Sequence, residues 1–198
     1  MASSRRIVAA TMLVVVLLSA ATTQAAKLRI GDKAPSWSEV IGVDDAKHSL
    51  SDYKAAKLIV IVFMCNHCPV AADYEDRILD LQKRYKNKGV QVIAVNVSNR
   101  PDDRLDKMKE RSAAKKFSFP YLYDPSQKMG YEYGAAVTPH VFVLNAERKI
   151  AYVGAVDDSR KAAEVKMPFL CNALDALLSG KKPPQEVTRQ FGCGIRYE

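Results

Sequence analysis

An unbroken apolar run, Leu58-Ile-Val-Ile-Val-Phe-Met64, stops at Cys65-Asn66-His67-Cys68-Pro69. A β-branched run with no polar alternation is the pattern of a strand covered on both faces, so the chain needs packed layers on either side of a sheet. The segment that follows, residues 69–86, repeats Tyr74, Ile78, Leu81 and Tyr85 at helical spacing and ends at Asn87-Lys88-Gly89. That reads as an amphipathic helix with a glycine stop. Strand, paired cysteines and helix therefore follow one another directly.

Two thiols three positions apart at a helix start bring their Cα atoms within the roughly 4.4–6.8 Å that a disulfide spans. A helix N-terminus also favours the thiolate, through its unpaired N–H groups and its dipole. Cys65 is accordingly expected to be the exposed nucleophile with a depressed pKa. Cys68, one turn into the helix, is expected to resolve the mixed disulfide that Cys65 forms. His67, between them, can donate a hydrogen bond or positive charge to the Cys65 thiolate and so stabilise the reduced form. Asn66 suits a helix start, and Pro69 suits its first turn, where a missing N–H costs little.

The rest of the chain alternates strands and helices. Val90 to Val97 is a second buried strand, Pro101 to Lys116 a highly charged helix, Tyr121 to Tyr123 a short strand and Ser126 to Tyr133 a short helix. His140–Leu144 and Lys149–Val156 form a hairpin, and Ala162–Leu178 is a last helix that Pro168 breaks or starts. Gly31 to Tyr53 is turn-rich, with short edge strands at most. The fold class is α/β, and a dithiol at the carboxyl end of a central strand lies where open α/β sheets place their chemistry.

Ahead of this domain, Arg5-Arg6, the apolar stretch Ile7–Ala21 and Thr23-Gln24-Ala25 read as a secretory signal peptide over residues 1–25. The organisation expected is signal peptide 1–25, one domain over 26–180 and a tail over 181–198. The protein is expected to be exported, and periplasmic, with no stable membrane insertion after cleavage. The formal net charge is +8, but bases and acids are interspersed, as in Arg100–Lys116. A nucleic-acid stripe would be segregated and interleaved with aromatics, so no nucleic-acid partner is expected.

The chain resembles the thioredoxin superfamily, in its exported redoxin branch grouped with the alkyl-hydroperoxide-reductase and thiol-specific-antioxidant proteins. Gly31-Asp-Lys-Ala-Pro35 and Leu50-Ser-Asp-Tyr53 resemble that branch's N-terminal extension. Val137-Thr138-Pro139 before a strand resembles the superfamily's cis-proline loop, and Phe191-Gly-Cys-Gly-Ile195 a tail of peroxiredoxin-like members that carry CxxC. The resemblance implies a thioredoxin-like fold, a central mixed sheet flanked by helices with an N-terminal extension. It also implies that Thr138 and Pro139 position an extended substrate. Met64 stands where thioredoxins carry Trp, no acid interrupts Leu58–Met64, and the Pro-x-x-x-Thr-x-x-Cys signature of true peroxiredoxins is missing.

Two more cysteines qualify this reading. Cys171 lies among Phe169, Leu170, Leu174 and Leu177 and reads as a buried, inert thiol. Cys193, between two glycines in the tail, is expected to be more exposed. A Cys171–Cys193 disulfide would close a loop of about 20 residues, for which the chain-entropy model gives about 3 kcal/mol. Cys193 could alternatively reach the dithiol or stay free. Zinc needs four ligands at structural sites, and His67, His140, Cys171 and Cys193 offer no ligand-like spacing, so neither metal nor organic cofactor is expected. His48 and Trp37 read as structural, and Asp102-Asp103 and Asp157-Asp158 as caps and turns.

The function expected is thiol–disulfide exchange with protein thiols or disulfides, supplied by an upstream redox partner. A peroxidase, in which peroxide oxidises Cys65, and a non-catalytic metal-binding or chaperone module remain open. The oligomeric state is not legible.

Overall fold

The computed structural model describes residues 28–198. The proposed signal peptide lies outside them. Nine strands and four α-helices follow in order: β1 (Val40–Gly42), β2 (Lys47–His48), β3 (Leu58–Phe63), α1 (Pro69–Tyr85), β4 (Val90–Asn96), α2 (Leu105–Lys115), β5 (Tyr121–Tyr123), α3 (Lys128–Tyr133), β6 (Val137–Thr138), β7 (His140–Leu144), β8 (Ile150–Gly154), α4 (Phe169–Leu178) and β9 (Cys193–Gly194).

Seven strands make one mixed sheet in the order β2-β1-β5-β4-β3-β7-β8. β3 runs parallel to β4, with Val60 opposite Val92, and antiparallel to β7, with Phe63 opposite His140. Strand alternation sends Leu58, Val60 and Val62 into one apolar layer with Tyr74, Ile78, Tyr85 and Leu174. Ile59, Ile61 and Phe63 enter the opposite layer with Trp37, Tyr133 and Phe142. Every residue of β3 is buried, which is why its sequence carries no polar alternation.

Pro69 opens α1, and Gly89, at φ 86°, turns the chain after it into β4. The charged helix starts later than its sequence suggests. Pro101–Asp103 is a single 3-10 turn, and Arg104 is extended before α2 begins. That break lets Asp103 turn its side chain inward. Likewise Ala162–Glu164 is an isolated 3-10 turn, and α4 starts after Pro168, whose missing N–H suits a helix start.

The first strands act as an edge extension. β1 pairs with β5, and Gly31 and Ala34 donate backbone hydrogen bonds to Ile150 and Arg148. A separate two-stranded ladder, β6 with β9, has no counterpart in the sequence reading. Each strand is two residues long, too short for any periodicity to register.

Candidate active site

The paired cysteines sit on the turn between β3 and α1. Cys68 is the N-cap of α1, and its sulfur accepts the Ala71 N–H at 3.3 Å. The helix terminus therefore serves Cys68, which is not one turn into the helix as its spacing suggested. Cys65 stands ahead of the helix and is 3% exposed. Burial pushes its thiol up to about 11; the Asp103 charge adds to the rise, while hydrogen bonds from Thr138 and the Cys68 backbone and the Arg100 charge oppose it. The exposed Cys65 with a depressed pKa is thus corrected: desolvation outweighs the nearby helix terminus.

Asp103 is the residue the sequence reading missed. Its carboxylate, fully buried, accepts the His67 backbone N–H at 3.0 Å and the His67 Nδ1–H. Its carbonyl accepts from Asn96 Nδ2 at 2.8 Å. His67 is thus oriented by Asp103, and Asn66 is no cap: it donates to the Asp102 carbonyl and accepts from the Tyr121 hydroxyl. A weak signal existed, since Asp102-Asp103 follows the carboxyl end of β4, beside the end of β3.

The Thr138–Pro139 bond is cis. Thr138 Oγ1 stands 3.5 Å from Cys65 Sγ, and the Thr138 carbonyl oxygen 3.2 Å from Cys68 Sγ, where a reduced thiol would donate to it. The structure thus brings together Cys65, Cys68, His67, Thr138 and Pro139. His140 begins β7 beneath them and accepts the Ala136 N–H on Nδ1. His48 lies elsewhere, held by Tyr53 and Asp44.

Cys68 is disulfide-bonded to Cys193, with Cα atoms 6.0 Å apart, while Cys65 and Cys171 are free. The Cys171–Cys193 bridge is corrected accordingly. The tail crosses the β6 edge, where Cys193 pairs with Thr138 and comes against the N-cap of α1. Cys171 stays half-buried on α4, its thiol raised by burial.

Beside this cluster opens a cleft of about 500 Å³ whose walls include Cys65, His67, Thr138, Arg100 and tail residues Gly194–Arg196. Cys65 Sγ, a His67 ring nitrogen and an Asp103 oxygen lie within 4.8 Å of one another, so these three could ligate a metal ion. Doing so would require a deprotonated Cys65.

The mixed sheet, its flanking helices and the cysteine turn facing a cis-proline loop define a thioredoxin-like protein. The chain belongs to the Redoxin family, whose model matches residues 29–167. An uncharacterised conserved protein from Geobacillus kaustophilus superposes with a TM-score of 0.81 at 32% identity, over 86% of this chain and 93% of that one. A hypothetical protein from Sinorhizobium meliloti reaches the same TM-score, 0.81, at 27% identity, over 89% of this chain and 99% of that one. The thioredoxin domain of a thiol-disulfide oxidoreductase from Bacteroides vulgatus shares the fold, with a TM-score of 0.56 at 20% identity, over 64% of this chain and 89% of that one. Searched against curated protein sequences, the chain has no significant match. Among the described residues no helix is long and apolar enough to cross a membrane.

Proposed function

We propose that the protein is an exported thiol–disulfide oxidoreductase acting on protein thiols or disulfides through Cys65 and Cys68. The observation that carries this is the contact between Cys65 Sγ and Thr138 Oγ1 beside cis-Pro139, because it sets a free cysteine sulfur against a short strand edge. A substrate strand can add to such an edge through main-chain hydrogen bonds. Export is supported by the basic, apolar and small-residue order of residues 1–25.

In the reducing direction, the Cys65 thiolate attacks one sulfur of a substrate disulfide. That bond breaks, a mixed disulfide forms, and the departing thiolate takes up a proton. Cys68 then attacks Cys65 Sγ and releases the second substrate thiol. The substrate gains two electrons and the protein keeps a Cys65–Cys68 disulfide, which an upstream partner must reduce. Oxidation of a substrate dithiol runs the same steps backwards. His67, fixed by Asp103, would tune the pair.

Insulin reduction and mixed-disulfide trapping test the reading. Cys68→Ala should accumulate a covalent adduct through Cys65, and Cys65→Ala should trap none. Peroxide consumption with a thiol donor, in the absence of insulin turnover, would replace this reading with the peroxidase. Metal retained by the reduced protein and lost in Cys65→Ala, again without turnover, would replace it with a metal-binding module.

A further inference from the structure

The tail lies where the proposed substrate would. Thr138 is the residue offered to an incoming strand, yet its ladder partner is Cys193, and Val137 pairs with Gly194. The approach is close: a Cβ on Gly192 would stand 2.1 Å from the Thr138 carbonyl oxygen and 3.2 Å from the Pro139 nitrogen. No side chain fits at position 192 unless the tail moves off the cis-proline loop.

The docking does not depend on the disulfide alone. Phe191 packs edge-on against Tyr74. Ile195 N–H donates to the Ala136 carbonyl, and Gln127 donates to the Arg196 carbonyl while accepting the Glu198 N–H. The Tyr197 hydroxyl donates to the Ala135 carbonyl at 2.6 Å. Residues on both sides of Cys193 thus hold it in register, and its sulfur is bonded to Cys68. An extended strand on the cis-proline edge with its cysteine joined to the active turn is the arrangement of a mixed disulfide. The strand here belongs to the same chain.

We propose that Cys193 is the third reacting thiol of the site, carried on an internal substrate strand whose disulfide with Cys68 is exchanged by Cys65. The inference rests on the thiol-exchange reading of Cys65 and Cys68. Cys65 gives up its proton and attacks Cys68 Sγ. The Cys68–Cys193 bond breaks, a Cys65–Cys68 bond forms, and Cys193 leaves as a thiolate that takes up a proton. One disulfide replaces another with no net change in electrons, so no external oxidant or reductant is needed. While the tail is docked, it forms one wall of the Cys65 cleft and occupies the strand edge. Its release frees that edge for an extended cysteine-containing segment of another protein.

Disulfide mapping by peptide mass spectrometry, on acid-quenched and alkylated full-length protein, tests the exchange. Wild type equilibrated with glutathione buffers should hold both Cys68–Cys193 and Cys65–Cys68 bridges, in a ratio that stays constant across buffers while their total falls under reducing conditions. Cys65→Ser should hold Cys68–Cys193 alone. Cys193→Ser and Gly192→Val each open the edge by a different route, so one suffices if the other does not fold. In either, the KM for a cysteine-containing peptide disulfide should fall at least threefold. A single bridge in wild type across all buffers would overturn the proposal, whether Cys193 stays free or stays bonded. So would an unchanged KM in both tail variants. Insulin turnover that persists under those outcomes leaves the oxidoreductase reading standing. Loss of turnover with every protein disulfide, while mapping still shows both bridges, removes that reading and keeps the internal exchange.

Discussion

Thr138 faces Cys193 directly across the β6–β9 ladder, and the same threonine meets the other two sulfurs, Cys65 through its hydroxyl and Cys68 through its carbonyl. Three cysteine sulfurs therefore converge on one residue beside the cis-proline. Because a backbone edge can pair with one strand at a time, a substrate strand docking as proposed would compete with the tail for Thr138. That competition would link redox state to access to the site.

Cys65 should react slowly in the resting protein. With its thiol pushed up to about 11 by burial, alkylation at neutral pH should run about a hundredfold slower than for an unperturbed cysteine. The rate should climb steadily as pH rises through 9 and 10. Stopped iodoacetamide reactions read by intact mass check this. A Cys65 labelled at the free-cysteine rate at pH 7 would show that the site is not closed in solution.

The charges around Cys65 predict opposite effects from neighbouring substitutions. Asp103 raises the thiol pKa, whereas Arg100 and the Thr138 hydroxyl lower it. Asp103→Asn should therefore speed Cys65 labelling, and Arg100→Gln and Thr138→Val should slow it, each several-fold. Asp103→Asn should also cost about 1–3 kcal/mol of stability, because a buried charge-assisted bond to His67 is weakened. Labelling that changes in one common direction would mean that the variants act by loosening the turn.

The reach of the sequence follows the length of each signal. The long apolar run of β3, the periodic α1 and the glycine at 89 carry enough repeats to fix strand, helix and turn. The placement of Cys65 and Cys68 at one end of the sheet follows from them, whereas Thr138-Pro139 was legible only through the family resemblance. Burial was not legible in the same way. Cys65 looked exposed because its cover, Thr138 and the tail, comes from residues far along the chain. Asp103 looked like a cap because the break at Arg104 has no propensity signature. The Cys68–Cys193 pairing, 125 residues apart in sequence, depends on a two-residue ladder and a close approach at Gly192.

Away from the site, the ion pairs should divide by burial. Glu75 is 1% exposed and takes a bidentate pair of 2.8 Å hydrogen bonds from Arg111, with Lys115 at 3.5 Å. Arg111→Ala would leave that carboxylate buried with a weaker partner, and should cost about 2–4 kcal/mol. Lys107→Ala removes an exposed pair with Glu110 and should leave the urea midpoint unchanged. Equal shifts for the two would contradict the burial of Glu75.

The raised Cys65 pKa also predicts how stability depends on pH. The neutral thiol is the form the folded site favours, so the unfolded chain loses this proton first as pH rises. Between the ordinary thiol value of 9.0 and about 11, the unfolded state binds fewer protons, and unfolding free energy must fall with pH. The contribution is fully present below pH 9 and is lost by about 11. A shift of that size corresponds to about 2–3 kcal/mol in total. Buried tyrosines, among them Tyr74, Tyr133 and Tyr152, are also raised and steepen the loss at the alkaline end in any variant. The informative quantity is thus the difference between wild type and Cys65→Ser, since serine does not titrate in this range. Urea unfolding at pH 8, 9, 10 and 11 should show wild type losing more stability than Cys65→Ser, with the gap opening between pH 9 and 11. Parallel curves would mean that Cys65 ionises as readily in the folded protein as in the unfolded chain.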